Sequence, residues 1–160
     1  MERRREGVHP MIPDTLRPMA VSIDSVIPYP RNPRVGDIQA IKASLNRFGQ
    51  MRPIVVQQST GYVLAGNHVY HSARELGWPD IAVAPVDVSD EMAKAYVLAD
   101  NRLSDLGRYE DGMLAELLQE QPDLDGTGYS QQDVQKLLAG LDKPLDLPDA
   151  EVCPECGKPL

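Results

Sequence analysis

The run Leu64-Ala65-Gly66-Asn67-His68-Val69-Tyr70-His71 passes from an apolar stretch through a glycine into residues of helical character. A helix that starts at such a turn offers unpaired backbone N–H groups and the positive end of its dipole, which is chemistry that holds phosphate. Asn67 and His68 fall in the first turn, and His71 follows His68 by three residues, so both imidazoles can share a helix face and reach one ligand. The plainer alternative is that Gly66 only permits a tight turn and that the histidines are ordinary surface residues. A second place is Leu98-Ala99-Asp100-Asn101-Arg102-Leu103, near the end of a later helix. An acid beside an amide is a pair of hard oxygens, and Mg²⁺ takes one or two of these and fills its shell with water and phosphate. The same pair near a helix end is also commonly just solvated, with Arg102 suiting the dipole. The third place is Cys153-Pro154-Glu155-Cys156-Gly157-Lys158, which has the shape of half a zinc knuckle. Its missing ligands would come from a second chain or a histidine, and His9, His68 and His71 have no suitable spacing. An inert reduced tail is the alternative. Dithiol redox chemistry would want a strand-to-helix turn that a tail does not supply.

The elements that must position these residues follow from periodicity and punctuation. The first eighteen residues show no period and are expected to form a flexible arm, with order beginning near Met19. Val21, Ile23 and Val26 make a short apolar segment, and Pro28, Pro30 and Pro33 then impose an extended loop, Pro28-Tyr29-Pro30-Arg31-Asn32-Pro33-Arg34. Ile38, Ile41, Leu45 and Phe48 recur at helical spacing and end at Gly49, a glycine stop. Pro53–Gln57 and Tyr62–Ala65, separated by Ser59-Thr60-Gly61, read as a hairpin. A helix over Asn67–Leu76 should follow at once, with Val69, Ala73 and Leu76 on one face and Gly77 closing it.

Ile81–Val88 returns to strand, and Ser89 then caps a helix with Asp90 and Glu91 in its first turn. The stripe expected to be buried on that helix is Met92, Ala95, Tyr96, Ala99 and Leu103. Two short helices complete the pattern, Asp111–Gln119 and Ser130–Leu141, the latter opening on Ser130 and Asp133, spaced as a capping box. Val134, Leu137, Leu138 and Leu141 are its expected core face. The division this implies is an arm over 1–18, a main domain over 19–106, a helical extension over 107–142, and an acidic linker with the cysteine tail over 143–160.

The 160 residues, 42% hydrophobic and 25% charged, suit one domain with an appendage, and the low aromatic share of 5% leaves the core to aliphatic side chains. No apolar run reaches the length of a membrane span, and the opening residues lack the apolar run of a signal peptide, so the expected location is the cytoplasm. The net charge of −8 is unevenly spread: residues 1–60 carry nine Lys/Arg against five Asp/Glu, residues 61–160 seven against nineteen. A basic coat is excluded, but a local basic face of Arg31, Arg34, Lys42, Arg47 and Arg52 is allowed, with a solvated helix face as the alternative.

Taken in order, Asn32-Pro33-Arg34, Phe48-Gly49-Gln50, Arg52-Pro53-Ile54-Val55-Val56, Gly66-Asn67-His68, Glu75-Leu76-Gly77-Trp78 and Ala99-Asp100-Asn101-Arg102 form a succession. It resembles the ParB N-terminal domain of the ParB/sulfiredoxin superfamily over roughly Val21 to Leu106, and is closest to the ParB-like domains of phage and mobile elements. The resemblance implies an α/β (α+β) fold, a small mixed sheet flanked by helices, with a short helical C-terminal extension. It also implies a nucleotide pocket, for CTP with Mg²⁺ in partition proteins and for ATP or nuclease activity in other branches. By position, Gly66, Asn67 and His68 would face the phosphates with His71 nearby, and Arg34 would help hold them. Asp100 would support hydrolysis as the catalytic residue, and Asn101 would bind Mg²⁺.

Two departures accompany the resemblance. The partition proteins carry arginines in the box that begins at the glycine, whereas histidines and Val69 stand here; sulfiredoxins carry a cysteine at this turn, and none is present. The expected role is nucleotide-gated DNA association or assembly in the cytoplasm of a bacterium or phage-infected cell, with DNA and possible homodimerisation as partners. The rivals are a metal-dependent nuclease using Asp100, Asn101 and His68, and a ligand-free adaptor for a DNA methyltransferase, terminase or other phage protein.

Overall fold

The computed structural model describes residues 11–141. The first ten residues of the expected arm and the whole linker with its Cys153/Cys156 pair lie outside the described residues. Five strands, β1 (Ala20–Ser22), β2 (Ile27–Pro28), β3 (Ile54–Gln57), β4 (Tyr62–Ala65) and β5 (Asp80–Val86), form one sheet in the order β1-β5-β3-β4-β2. Antiparallel pairs (β1/β5, β3/β4) alternate with parallel ones (β5/β3, β4/β2), so the sheet is mixed. Helices α1 (Ile38–Phe48), α2 (Asn67–Glu75), α3 (Asp90–Leu106), α4 (Asp111–Gln119) and α5 (Gln131–Leu141) complete the chain. This is the α/β (α+β) arrangement that the resemblance implies, and the expected β3–β4 hairpin is present with a register shift between Val55 and Val56.

Successive strand residues point to opposite faces, and both faces are apolar. Ile54, Val56 and Val63 join the larger core with Leu45 of α1 and Tyr70 and Ala73 of α2. Val55 and Leu64 pack on the other face against Ala93 and Val97 of α3. Two buried glutamines splice the sheet's ends: Gln50 donates through Nε2 to Ala82 O at 2.8 Å and accepts from Ala82 N at 2.7 Å. Gln57 donates to Val88 O and to the Asp90 carboxylate, tying β3 to the start of α3.

Two expectations need correction. Order begins ahead of Met19, because Ile12 is buried in the larger core and Met11 O accepts the Gln50 N–H at 2.8 Å. The stripe Met92, Ala95, Tyr96, Ala99 and Leu103 is exposed, Met92 at 58% and Leu103 at 66%, while α3 meets the sheet through Ala93 and Val97. The physical reason is the surface the helix meets: Ala93 and Val97, one turn apart, let it lie close on Leu64, and the stripe falls on its other faces. Beyond α3, Arg47 of α1 donates to the Asp123 carboxylate and Asp125 O, pinning the loop that leads to α5. Ser130 and Asp133 cap α5 reciprocally as expected: Ser130 N and Oγ donate to Asp133 Oδ2, and Asp133 N donates to Ser130 Oγ. In the same extension the Tyr129 phenol is pushed up, first by its hydrogen bond with Tyr109 and then by burial.

Candidate functional site

Strand β4 ends at Ala65, and the chain turns into α2 through Gly66 at φ +93°. That conformation suits glycine, and a Cβ there would come within 2.6 Å of Ile54 Cγ2. No side chain caps α2, so its leading N–H groups face outward into a cleft of about 290 Å³. Gly66, His68, Arg34 and Arg52 line the cleft on one side, and Asp100, Asn101 and Ser104 of α3 line it on the other. It adjoins a second hollow of about 180 Å³ that shares Arg52, Gly66 and Asp100 and reaches Tyr96. At this size the main cleft sits at the lower end of small-ligand sites, roughly 300–1,000 Å³.

The side chains divide into those that build the cleft and those that face it. Asn67 is buried and committed inward: its Oδ1 accepts from Tyr29 N at 2.8 Å and its Nδ2 donates to Val63 O at 3.0 Å. Its amide is thus spent on β-strand and loop backbone, and what Asn67 offers the cleft at the start of α2 is its backbone N–H. His68 lies in the cleft wall and holds the incoming loop, with Nε2 accepting from Gly36 N at 2.9 Å. Since a backbone N–H can only donate, the neutral ring then carries its proton on Nδ1. Arg34 O stands 3.1 Å from the same Nε2 and would accept from it in the other tautomer. His71 is exposed, stacks edge-on with Tyr70 and does not line the cleft, so the two imidazoles do not converge.

Across the cleft, Asn32 Oδ1 accepts from both Asn101 Nδ2 at 3.0 Å and Arg34 N at 3.3 Å, an Asx turn that joins the proline loop to α3. Arg34 Nη1 donates to Asn101 O at 2.9 Å and to Asp105 Oδ1 at 3.0 Å. Among the described residues, Asn101 Oδ1 and the Asp100 carboxylate accept no hydrogen bond, and both residues line the cleft, which leaves their hard oxygens unspent. Those oxygens fit the demand of Mg²⁺ for one or two protein ligands. The described residues contain no group of three or more His, Cys, Asp or Glu placed to hold a metal by themselves.

Four residues of the site were not singled out from the sequence in these roles: Asn32, Gly36, Arg52 and Asp105. Arg52 had a legible signal, a cation directly before the Pro53–Val56 strand with no acid nearby. The expected basic face is mostly neutralised, because Arg34, Lys42 and Arg47 pair with Asp105, Glu75 and Asp123, acids distant in sequence. Arg52 forms no ion pair among the described residues.

No protein-family model matches the chain, and no curated protein matches it. Solved structures do. The C-terminally truncated chromosome-partitioning protein ParB from Caulobacter crescentus, complexed with CTP-γ-S, matches with a TM-score of 0.57 at 18% identity, over 78% of each chain. The fold is ParB/sulfiredoxin-like. The same ParB complexed to its centromeric parS site matches with a TM-score of 0.43 at 16% identity, over 75% of this chain and 64% of that one. Sulfiredoxin from Arabidopsis thaliana matches with a TM-score of 0.41 at 23% identity, over 50% of this chain and 98% of that one. Within the ParB-like fold, the cleft lies where the β4–α2 turn faces the C-terminal half of α3. No helix among the described residues is long and apolar enough to cross a membrane.

Proposed function

We infer that this chain is a ParB-like DNA-transaction protein whose association with DNA, or with itself, is gated by a nucleotide held with Mg²⁺ in the Gly66–Asp100 cleft. The observation that carries the reading is the convergence of Arg34, Arg52 and the start of α2 on one side with Asp100 and Asn101 on the other. Cations and backbone N–H groups are what a polyphosphate needs, and the hard oxygens opposite are what its metal needs. The match to a ParB that binds a CTP analogue supports the choice of a nucleoside triphosphate, CTP or ATP.

Arg34 and Arg52 would bind the phosphates, and the α2 N–H groups would orient them. Bound Mg²⁺ would be held by Asn101 Oδ1, with Asp100 beside it, and would neutralise phosphate charge. Asp100 would position water where the triphosphate is hydrolysed. DNA and a second copy of the chain are the proposed partners, and a phage or mobile-element setting in a bacterial cytoplasm is the proposed context. Zinc at Cys153 and Cys156 remains a separate proposal of the tail.

A second reading, an adaptor for a methyltransferase, terminase or other phage protein, is favoured by the exposed Met92, Leu103, Met113 and Leu117 on α3 and α4. Calorimetric titration of the full chain with CTP, ATP and GTP in Mg²⁺ separates the readings. Saturable binding of one nucleotide, weakened by Asn101→Ala, supports the switch, whereas no binding up to millimolar concentration leaves the adaptor. Metal-dependent plasmid nicking that disappears in Asp100→Ala would replace both with a nuclease.

A further inference from the structure

The two cleft arginines are not equivalent. Arg52 meets no acid among the described residues, but Arg34 is already engaged by α3, through Asn101 O at 2.9 Å and the Asp105 carboxylate at 3.0 Å. The loop that carries Arg34 is held at both ends, by His68 Nε2 on the Gly36 N–H and by Asn32 on Asn101. The guanidinium is therefore presented at a fixed place on the cleft wall, with Nη1 shared between the Asn101 carbonyl and the Asp105 carboxylate. A carboxylate and a phosphate oxygen ask the same thing of a guanidinium.

We propose that Asp105 is a built-in competitor of the cleft's anionic ligand: it occupies Arg34 in the free protein and yields the guanidinium to a polyphosphate chain. The inference rests on the nucleotide reading and deepens it, since it names what sets the affinity. The pair is replaceable because it is exposed, with Arg34 38% and Asp105 56% accessible, and exposed ion pairs are weak enough for a multiply charged ligand to displace. The exchange also leaves Asp105 without its cation, and that cost is subtracted from ligand binding.

The test is equilibrium binding of the full chain to tripolyphosphate and to CTP, each with Mg²⁺, in wild type, Asp105→Asn, Arg34→Gln and the double variant. Asp105→Asn tightens binding about two- to fivefold, the range an exposed pair can contribute, and the gain vanishes in the Arg34→Gln background. Unchanged or weaker binding in Asp105→Asn overturns the inference and leaves the nucleotide reading standing. So does a gain that persists without Arg34, because it would report only the loss of a negative charge. Failure of every variant to bind either probe up to millimolar concentration overturns the nucleotide reading and this inference with it. Because Asp105 is half exposed, the variant folds, and an unchanged far-ultraviolet circular dichroism spectrum checks this.

Discussion

The imidazole of His68 occupies the space that a side chain at residue 36 would need: a Cβ on Gly36 would lie 2.8 Å from His68 Cγ, and the Gly36 N–H donates to His68 Nε2 at 2.9 Å. The Arg34 loop thus closes on α2 only because one partner is a flat ring and the other has no side chain. Gly36→Ala is expected to push the ring aside, break that hydrogen bond and weaken ligand binding. His68→Ala alone removes the hydrogen bond but opens room, so the double variant should cost less than the sum of the two. A double-mutant cycle on unfolding free energy measures this, and strict additivity would refute the contact.

Gly66→Ala tests the turn that starts α2. The left-handed φ of +93° costs a non-glycine residue roughly 1–2 kcal/mol, and the approach to Ile54 Cγ2 adds to it. Chemical denaturation should show a loss at least that large, whereas Gly77→Ala, also at positive φ but with nothing near its Cβ, should show only the conformational part.

Asn67→Ala should act on stability before it acts on binding. It removes a buried amide that satisfies Tyr29 N and Val63 O, and orphaned buried groups cost about 1–3 kcal/mol each. Asn67→Asp keeps an acceptor for Tyr29 N but sets a carboxylate against a carbonyl, so it should destabilise at least as much. A variant of normal stability that fails to bind nucleotide would contradict this assignment.

Arg52→Ala should show the opposite signature. With no ion-pair partner among the described residues, its loss should leave the unfolding midpoint nearly unchanged while weakening triphosphate binding roughly ten- to hundredfold, the range for a lost charge-assisted hydrogen bond. Equal binding by wild type and variant in calorimetry would remove Arg52 from the site.

The α5 cap should be sensitive to acid. Its hydrogen bonds with Ser130 hold the Asp133 carboxyl below its ordinary value of 3.8. A depressed folded-state pKa means stabilisation present above that ordinary value and lost as pH falls through the lower, folded one. Amide exchange in the first turn of α5 should therefore accelerate, beyond the intrinsic chemical rate, as pH drops below about 4, and this extra acceleration should be absent in Ser130→Ala.

Local rules determined most of the elements. Asp111 and Gln119 bound a helix, Gly49 stops α1 at φ +70°, Ser89 and Ser130 cap their helices, and the turn at Gly61 closes the hairpin, because each needs only a few neighbouring residues. The Gly66 turn and the Asp100-Asn101 pair were legible for the same reason, as local motifs that a particular backbone geometry requires. What only the tertiary structure decided is which atoms are spent. Asn67 and His68 stand side by side in sequence, yet one amide is consumed by Tyr29 and Val63 while the ring of the other braces Gly36. Of the basic stretch of residues 31–52, Arg34, Lys42 and Arg47 are paired with Asp105, Glu75 and Asp123, each more than thirty residues away along the chain from its partner. The helix that carries Asp100 buries its small Ala93 and Val97 rather than its larger apolar residues. Helical periodicity states which residues share a face, but the face that lies inward is chosen by the surface it meets, and that surface is made by strands brought together only on folding.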